Sequence, residues 1–203
     1  MERGLIHRRG HAWTAALAAV VVCASAAPAL ARTPQERFDG ATIDQPAAVP
    51  DFALRDQNGR TMRLAAQRGK LVLLTFLYTH CPDVCPLTAQ NLSTAVKSLG
   101  RDRADVRVLA VSVDPAGDTP KSVARFVRDH RLSKQFHYLT GTPAQLAPIW
   151  NAYNVASIRH ASADVDHTLY VLLVDRSGKG RVIYDSTARP SAIAHDLRLL
   201  LRD

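Results

Sequence analysis

An α/β domain built on a central mixed sheet is predicted by three observations in this 203-residue sequence. Two nearly continuous apolar runs, residues 71–78 and 106–113, have the composition of strands covered on both faces. Each is followed by a segment with apolar residues at helical spacing, the alternation expected of a parallel strand-helix core. The last third changes rhythm, with two strand-like runs around Ser177-Gly178-Lys179-Gly180 that read as an antiparallel hairpin before a final helix.

Taken in order, residues 1–31 read as an export signal. Arg3, Arg8 and Arg9 precede an apolar run from Ala12 to Ala27, and Ala29-Leu30-Ala31 offers small residues for cleavage after Ala31. The run is short and alanine-rich for a spanning helix, and an uncleaved anchor is the alternative. Arg8-Arg9 is a weak twin-arginine feature, and Cys23 follows the branched Val22, so it reads as a signal-core residue rather than a lipid-bearing one. Residues 32–48 are polar and aperiodic and read as a linker. The remaining residues 49–203 form one domain, for which a chain that is 47% hydrophobic supplies a normal core.

Within that domain, Phe52 and Leu54, the Asn58-Gly59 turn and the run from Met62 to Leu64 predict an N-terminal β-hairpin. After the first buried strand, Leu92, Val96 and Leu99 lie on one helical face, and Gly100 ends that helix. Beyond the second strand, Thr119-Pro120 opens a helix with the face Val123, Phe126 and Val127. Thr142-Pro143-Ala144-Gln145 has the form of a capping box leading into Leu146, Ile149, Trp150 and Tyr153, with Pro148 deep enough to bend the helix. Residues 169–174 and 181–184 are the hairpin strands, and Ile193, Leu197 and Leu200 mark the closing helix. A strand-helix half followed by a hairpin and a helix is the layout of thioredoxin-like folds, with helices on both faces of the sheet.

Without residues 1–31, which hold three arginines and one glutamate, the net charge falls from +8 to +6. The charges are scattered and mostly explained by a solvated face; with neither a basic cluster nor an aromatic array, nucleic acid is a poor candidate partner, and the basic balance suits an anionic membrane surface or an acidic protein better.

The chemistry concentrates in Thr79-His80-Cys81-Pro82-Asp83-Val84-Cys85-Pro86, where the first buried strand gives way to a helix. Thiols four apart on a first helical turn share a face about 6 Å apart in Cα position, close enough for a disulfide or one shared metal ion. An exported protein resides where disulfides persist, yet a bridge closing so short a loop adds little stability, so a redox switch or a metal clamp explains the pair better than a structural bond. Cys81 falls at or just before the helix start, where free N–H groups favour its thiolate, and Pro82 suits the first helical position. Two thiolates are soft ligands suited to Cu(I) or zinc. An iron-sulfur cluster needs more cysteines than are present, structural zinc needs two further ligands, and Cu(I) accepts one added imidazole. His167 is preferred for that role because Val165-Asp166-His167-Thr168 directly precedes a core strand. Spacing alone does not separate it from His80, His130, His137, His160 or His195. Asp83 and Asp166 adjoin these positions and are candidates to orient the ligands. A peroxidase of the peroxiredoxin kind is disfavoured, since those enzymes place a threonine three residues before the reactive cysteine, where Tyr78 stands here.

Across nearly the whole domain the sequence resembles the Sco/SenC proteins, thioredoxin-like copper proteins that assist assembly of cytochrome c oxidase. The resemblance is carried by Asp51-Phe52-Ala53-Leu54 with Asp56 and Gly59, by Tyr78 through Pro86, by Ser112-Val113-Asp114-Pro115 with Asp118-Thr119-Pro120, by Thr140-Gly141-Thr142, and by Val165-Asp166-His167-Thr168. It implies copper ligation by Cys81, Cys85 and His167 and a copper chaperone whose partner is cytochrome c oxidase subunit II or a related copper acceptor. Other periplasmic copper or thiol-redox proteins are further partners. It also allows a thiol-disulfide reductase that uses Cys81 and Cys85 as its redox-active pair. The implied location is the periplasm or the outer face of the inner membrane, with a membrane tether as the family's usual arrangement.

Overall fold

Seven consecutive buried residues, Leu71–Leu77, form the centre of the sheet in the computed structural model, which describes residues 37–159 and 165–202 besides Met1. This strand, β4, is preceded by β1 (Ala41–Thr42), β2 (Ala53–Arg55) and β3 (Thr61–Arg63). It is followed by α1 (Val84–Lys97), β5 (Val106–Ser112), α2 (Pro120–Asp129), β6 (Phe136–Leu139) and α3 (Pro143–Ala152). Next come β7 (Ser157–Arg159), β8 (Val165–His167), β9 (Val171–Val174), β10 (Gly180–Tyr184) and α4 (Pro190–Arg202).

The main sheet has the order β1-β10-β9-β4-β5-β6. β4, β5 and β6 run parallel, while β9, β10 and β1 are antiparallel to their neighbours, which makes the sheet mixed. Residues in register share a face of a sheet and neighbours in sequence alternate between faces. Thr75, Ala110 and Tyr138 form one rank and Phe76, Val111 and Leu139 the next, on the opposite face. Tyr138 meets the ring of Phe126 in α2, and Phe76 meets Tyr153 at the end of α3, so helices cover both faces. This is the thioredoxin-like arrangement, with α1 and α4 packed on each other.

Local sequence accounts for the boundaries. Gly59 turns the β2–β3 hairpin at φ +73°, a conformation that L side chains rarely adopt. Thr119 caps α2 by accepting the Ser122 N–H, and Thr142 and Gln145 form a reciprocal capping box at α3, whose helix continues through Pro148. Four short strands depart from the sequence reading. β1 lies within the segment read as a linker, and a two-residue strand is too short to carry periodicity. β6 escaped because four residues, Phe-His-Tyr-Leu, do not distinguish a strand from a loop. The small β7–β8 sheet places His167 at the end of a strand, where a loop was expected. Among the described residues, no helix is long and apolar enough to cross a membrane. The export signal, the cleavage point after Ala31 and Cys23 lie outside the described residues.

Candidate functional site

The chain leaves β4 at Leu77 and makes a tight turn before α1. Thr79 N–H donates to Asp118 Oδ1 at 2.8 Å, and Cys81 N–H donates back to the Tyr78 carbonyl at 3.5 Å. The helix begins at Val84 with Asp83 as its N-cap, so Pro82 precedes the helix and does not occupy its first position. Pro86 lies in the first turn, where backbone N–H groups have no intrahelical acceptor and a proline costs no hydrogen bond. The same unsatisfied donors serve Cys81. Cys85 N–H points at Cys81 Sγ at 3.3 Å, and the Asp83 backbone also donates to that sulfur. The Asp83 side chain is exposed and makes no capping hydrogen bond, so it is the Asp83 main chain that touches the site.

Cys81 is 8% exposed and Cys85 fully buried, and both are free thiols. Their environments push them apart. A hydrogen bond from Cys85, together with the backbone donors and against the effect of burial, pulls the Cys81 thiol down to about 5. Its hydrogen bond to Cys81 and its burial push the Cys85 thiol far up. Burial, reinforced by the charge at Cys81, holds Tyr78 at about 12, a neutral phenol beside the thiolate. The pair therefore contains one sulfur inclined to ionise and one that holds its proton.

His167 reaches this pair from 82 residues away in sequence. Its Nε2 lies 3.8 Å from Cys85 Sγ, and its ring stands edge-on to Tyr78 with centroids 5.7 Å apart. Nδ1–H donates to the Thr168 carbonyl at 3.2 Å, which leaves the Nε2 lone pair facing the sulfur, the tautomer a metal-binding imidazole needs. The hairpin that carries it is held from below. Ser157, paired with His167 across β7 and β8, donates its hydroxyl to the Val113 carbonyl at 2.7 Å, at the end of β5.

The other described histidines find partners elsewhere. His80 bonds to the Thr79 hydroxyl, His130 to Gln90, His137 to Asp56 and His195 to the Arg37 carbonyl. His160 and the Asp166 side chain lie outside the described part of the structure. Cys81, Cys85 and His167 form an open set. Among the described residues, the three whose ligand atoms all lie within 4.8 Å of one another are Asp39, His195 and Asp196. There the Asp196 oxygens already accept the Asp39 and Gly40 N–H groups and the Tyr184 hydroxyl, which explains the cluster as a fastening between the N-terminal segment and α4. Sequence reasoning missed Tyr78, Ser157 and Asp118 as neighbours of the site. Tyr78 and Asp118 both fall in motifs that carry the family resemblance, but a residue before Thr119-Pro120 reads equally well as helix-start punctuation, and Ser157 left no trace in the sequence.

The SCO1/SenC family model matches residues 40–202. The chain belongs to the SCO1/SenC family. It is 31% identical over 197 residues to Protein SenC of Rhodobacter capsulatus, covering 92% of this chain and 88% of that protein. It is 29% identical over 157 residues to the SCO2-like protein RC0895 of Rickettsia conorii, covering 73% of this chain and 76% of that one. The structure of Bradyrhizobium japonicum ScoI with copper bound is similar at a TM-score of 0.68 and 32% identity, covering 76% of this chain and 99% of that chain. In this SCO1/SenC protein the two thiols and the His167 imidazole, a soft donor set, lie at the end of β4.

Proposed function

We propose that this protein is an exported copper chaperone that holds Cu(I) through Cys81, Cys85 and His167 and delivers it to the dinuclear copper site of cytochrome c oxidase subunit II. The observation that carries the reading is the approach of His167 Nε2 to 3.8 Å from Cys85 Sγ, beside a Cys81 thiol already inclined to ionise. Two thiolates and one neutral imidazole suit Cu(I), and loading would release the Cys85 proton. The copper-bound ScoI relative supports the choice of metal. Delivery would proceed by ligand exchange, acceptor thiolates replacing these ligands one at a time without release of free copper. The domain at 49–203, the linker at 32–48 and the leader at 1–31 would serve that role in the periplasm or at the outer face of the inner membrane.

A second reading is favoured by the split between the two thiols: a thiol-disulfide reductase acting on the cysteines of the acceptor. The Cys81 thiolate would attack the acceptor disulfide and form a mixed disulfide. Cys85 would then displace the acceptor thiol and close the Cys81–Cys85 bond, so the acceptor gains two electrons and two protons and this protein is oxidised. Asp166 stands next to His167 in sequence and would orient it in either role. The two readings separate in a transfer experiment. Copper-loaded protein is mixed anaerobically with the metal-free soluble domain of subunit II, and copper in the acceptor is measured alongside reduction of an oxidised acceptor. His167→Ala should lose copper delivery and keep disulfide reduction. Equal loss of both would argue against two separable roles, and copper delivery untouched by the substitution would remove His167 from the site.

A further inference from the structure

Charges that are scattered in the sequence are gathered by the fold at the end of the sheet away from the thiols. β4, β5 and β6 run parallel and Cys81 follows the C-terminal end of β4, so the segments that lead into these strands lie at the opposite end. Hydrogen bonds bring the neighbouring chain there. Lys97, the last residue of α1, donates to the Arg131 carbonyl behind α2 at 2.6 Å. Lys70 and Arg107 both donate to the Ala104 carbonyl, at 3.4 and 3.0 Å. Gly69 N–H donates to the Arg176 carbonyl in the β9–β10 turn at 2.9 Å. Arg176 reaches the Leu201 carbonyl at 3.3 Å and Arg198 the Ser98 carbonyl at 3.2 Å, which places the last turns of α4 at the same end.

The segments 68–70, 97–107, 128–134, 175–181 and 198–202 that meet here hold fourteen basic side chains and four acidic ones. The rest of the described domain, residues 37–159 and 165–202, holds eight basic and ten acidic. One end thus carries a net +10 and everything else a net −2. Three of the four carboxylates pair with cations of this same end, Asp105 with Lys70 at 3.8 Å, Asp129 with Arg128 at 3.0 Å and Asp175 with Arg181 at 3.2 Å. Lys97, Arg103 and Lys134, all exposed, line a cleft of about 300 Å³.

We propose that this end docks on an anionic phospholipid bilayer, with phosphate headgroups received between Lys97, Arg103 and Lys134 and the thiol end turned away from the surface. Two observations favour lipid over an acidic protein. The cations come from five separate segments and cover a whole end rather than one groove. The exposed large apolar residues among those described, Leu87, Ile158 and Ile183 besides Met1, all lie outside this end. A protein interface draws its energy from buried apolar and aromatic anchors, whereas a layer of charged headgroups needs none and strengthens binding about fivefold for each lysine or arginine close to it. The polarity also sets the orientation, because an anionic surface attracts the basic end and repels the remainder.

The test uses the chain Glu36–Asp203, which forms a compact unit by itself, so that residues 1–35 add nothing to the binding. It is sedimented with vesicles of one part phosphatidylglycerol to two of phosphatidylcholine, and with phosphatidylcholine alone, with thermal unfolding recorded in parallel. The parent should prefer the anionic vesicles at about 0.1 M salt and lose that preference at about 1 M, where the screening length falls from roughly 10 to 3 Å. Lys97→Gln/Arg103→Gln/Lys134→Gln should weaken partitioning on the order of a hundredfold. Arg60→Gln/Lys121→Gln/Arg125→Gln, the same loss of charge outside this end, should leave it within about threefold of the parent. Arg103→Gln/Lys134→Gln, which spares the Lys97 bond to Arg131, serves if the first variant melts early and should weaken binding about 25-fold. On the vesicles, amide exchange should slow at residues 97–107 and 128–134 and stay unchanged at 79–86. Equal weakening by the two triple variants, or slowed exchange at 79–86, would overturn the proposal. Absence of salt-sensitive vesicle binding would overturn it too, and retention of the parent but not the first variant on a poly-glutamate column would then assign this end to an acidic protein.

Discussion

Cys81 should give up its proton about four pH units below an ordinary thiol, from 9.0 to about 5, chiefly through the hydrogen bond from Cys85. The perturbation that tests this is Cys85→Ala, which removes the donor and leaves the backbone N–H of residue 85 in place. At pH 7 a group titrating near 5 is roughly 99% thiolate, against about 1–3% for an ordinary cysteine, a gain of roughly 30- to 100-fold. Intrinsic nucleophilicity falls with pKa with a slope of about 0.4–0.5, which over four units costs roughly 40- to 100-fold. The two effects nearly cancel, so a single alkylation rate at pH 7 decides nothing and the position of the pH profile decides everything. The assay is iodoacetamide alkylation of Cys81 in reduced, metal-free protein between pH 3.5 and 9, followed by peptide mass. The sign is that of an acid stabilised as its anion: the rate should rise through a midpoint near 5, stay flat to pH 8, and fall away only on acidification. In Cys85→Ala the midpoint should move up by at least about one unit. A parent midpoint above 7, or one that Cys85→Ala leaves in place, would refute the account of the pair.

Two further predictions concern the scaffold. Thr142→Ala removes the hydroxyl that accepts the Gln145 N–H at 3.3 Å, leaves only the bond from the backbone N–H of residue 142 to Gln145 Oε1 at 2.9 Å, and should cost about 1 kcal/mol. That lowers the melting temperature by roughly 2–4 °C, and an unchanged transition would show that the box contributes nothing. Asp196→Asn should be costlier, because both oxygens accept a backbone N–H, from Asp39 and Gly40, and an amide nitrogen at either one faces a donor that cannot turn away. About 1–3 kcal/mol should be lost, with faster amide exchange around residues 39–43, and unchanged exchange there would contradict the fastening role.

The sheet centre was legible because burial on both faces writes itself as continuous apolar runs, as at residues 71–77 and 106–112. Turns and caps were legible where one residue type answers one geometric need, as Gly59 and the Thr142-Gln145 box do. What escaped was short or tertiary. β1, β7 and β8 have two or three residues each, below the length at which alternation can be read. The start of α1 was read two residues early because a proline before a helix and a proline in its first turn look alike in sequence. At the site, the cysteine spacing announced itself, but nothing near His167 in sequence distinguishes it from five other histidines. Its position is fixed by a hairpin folding back over the end of β4, and that of Asp118 by donors from three separate elements.

The most direct test of the central claim is an anaerobic Cu(I) titration of the reduced protein against a competing chelator, with Cys81→Ser, Cys85→Ser and His167→Ala in parallel. The account predicts tight one-to-one binding, weakened by each substitution by at least the tenfold to hundredfold that losing a mere supporting partner costs. Full affinity in Cys85→Ser, or weak binding that His167→Ala leaves unchanged, would contradict it.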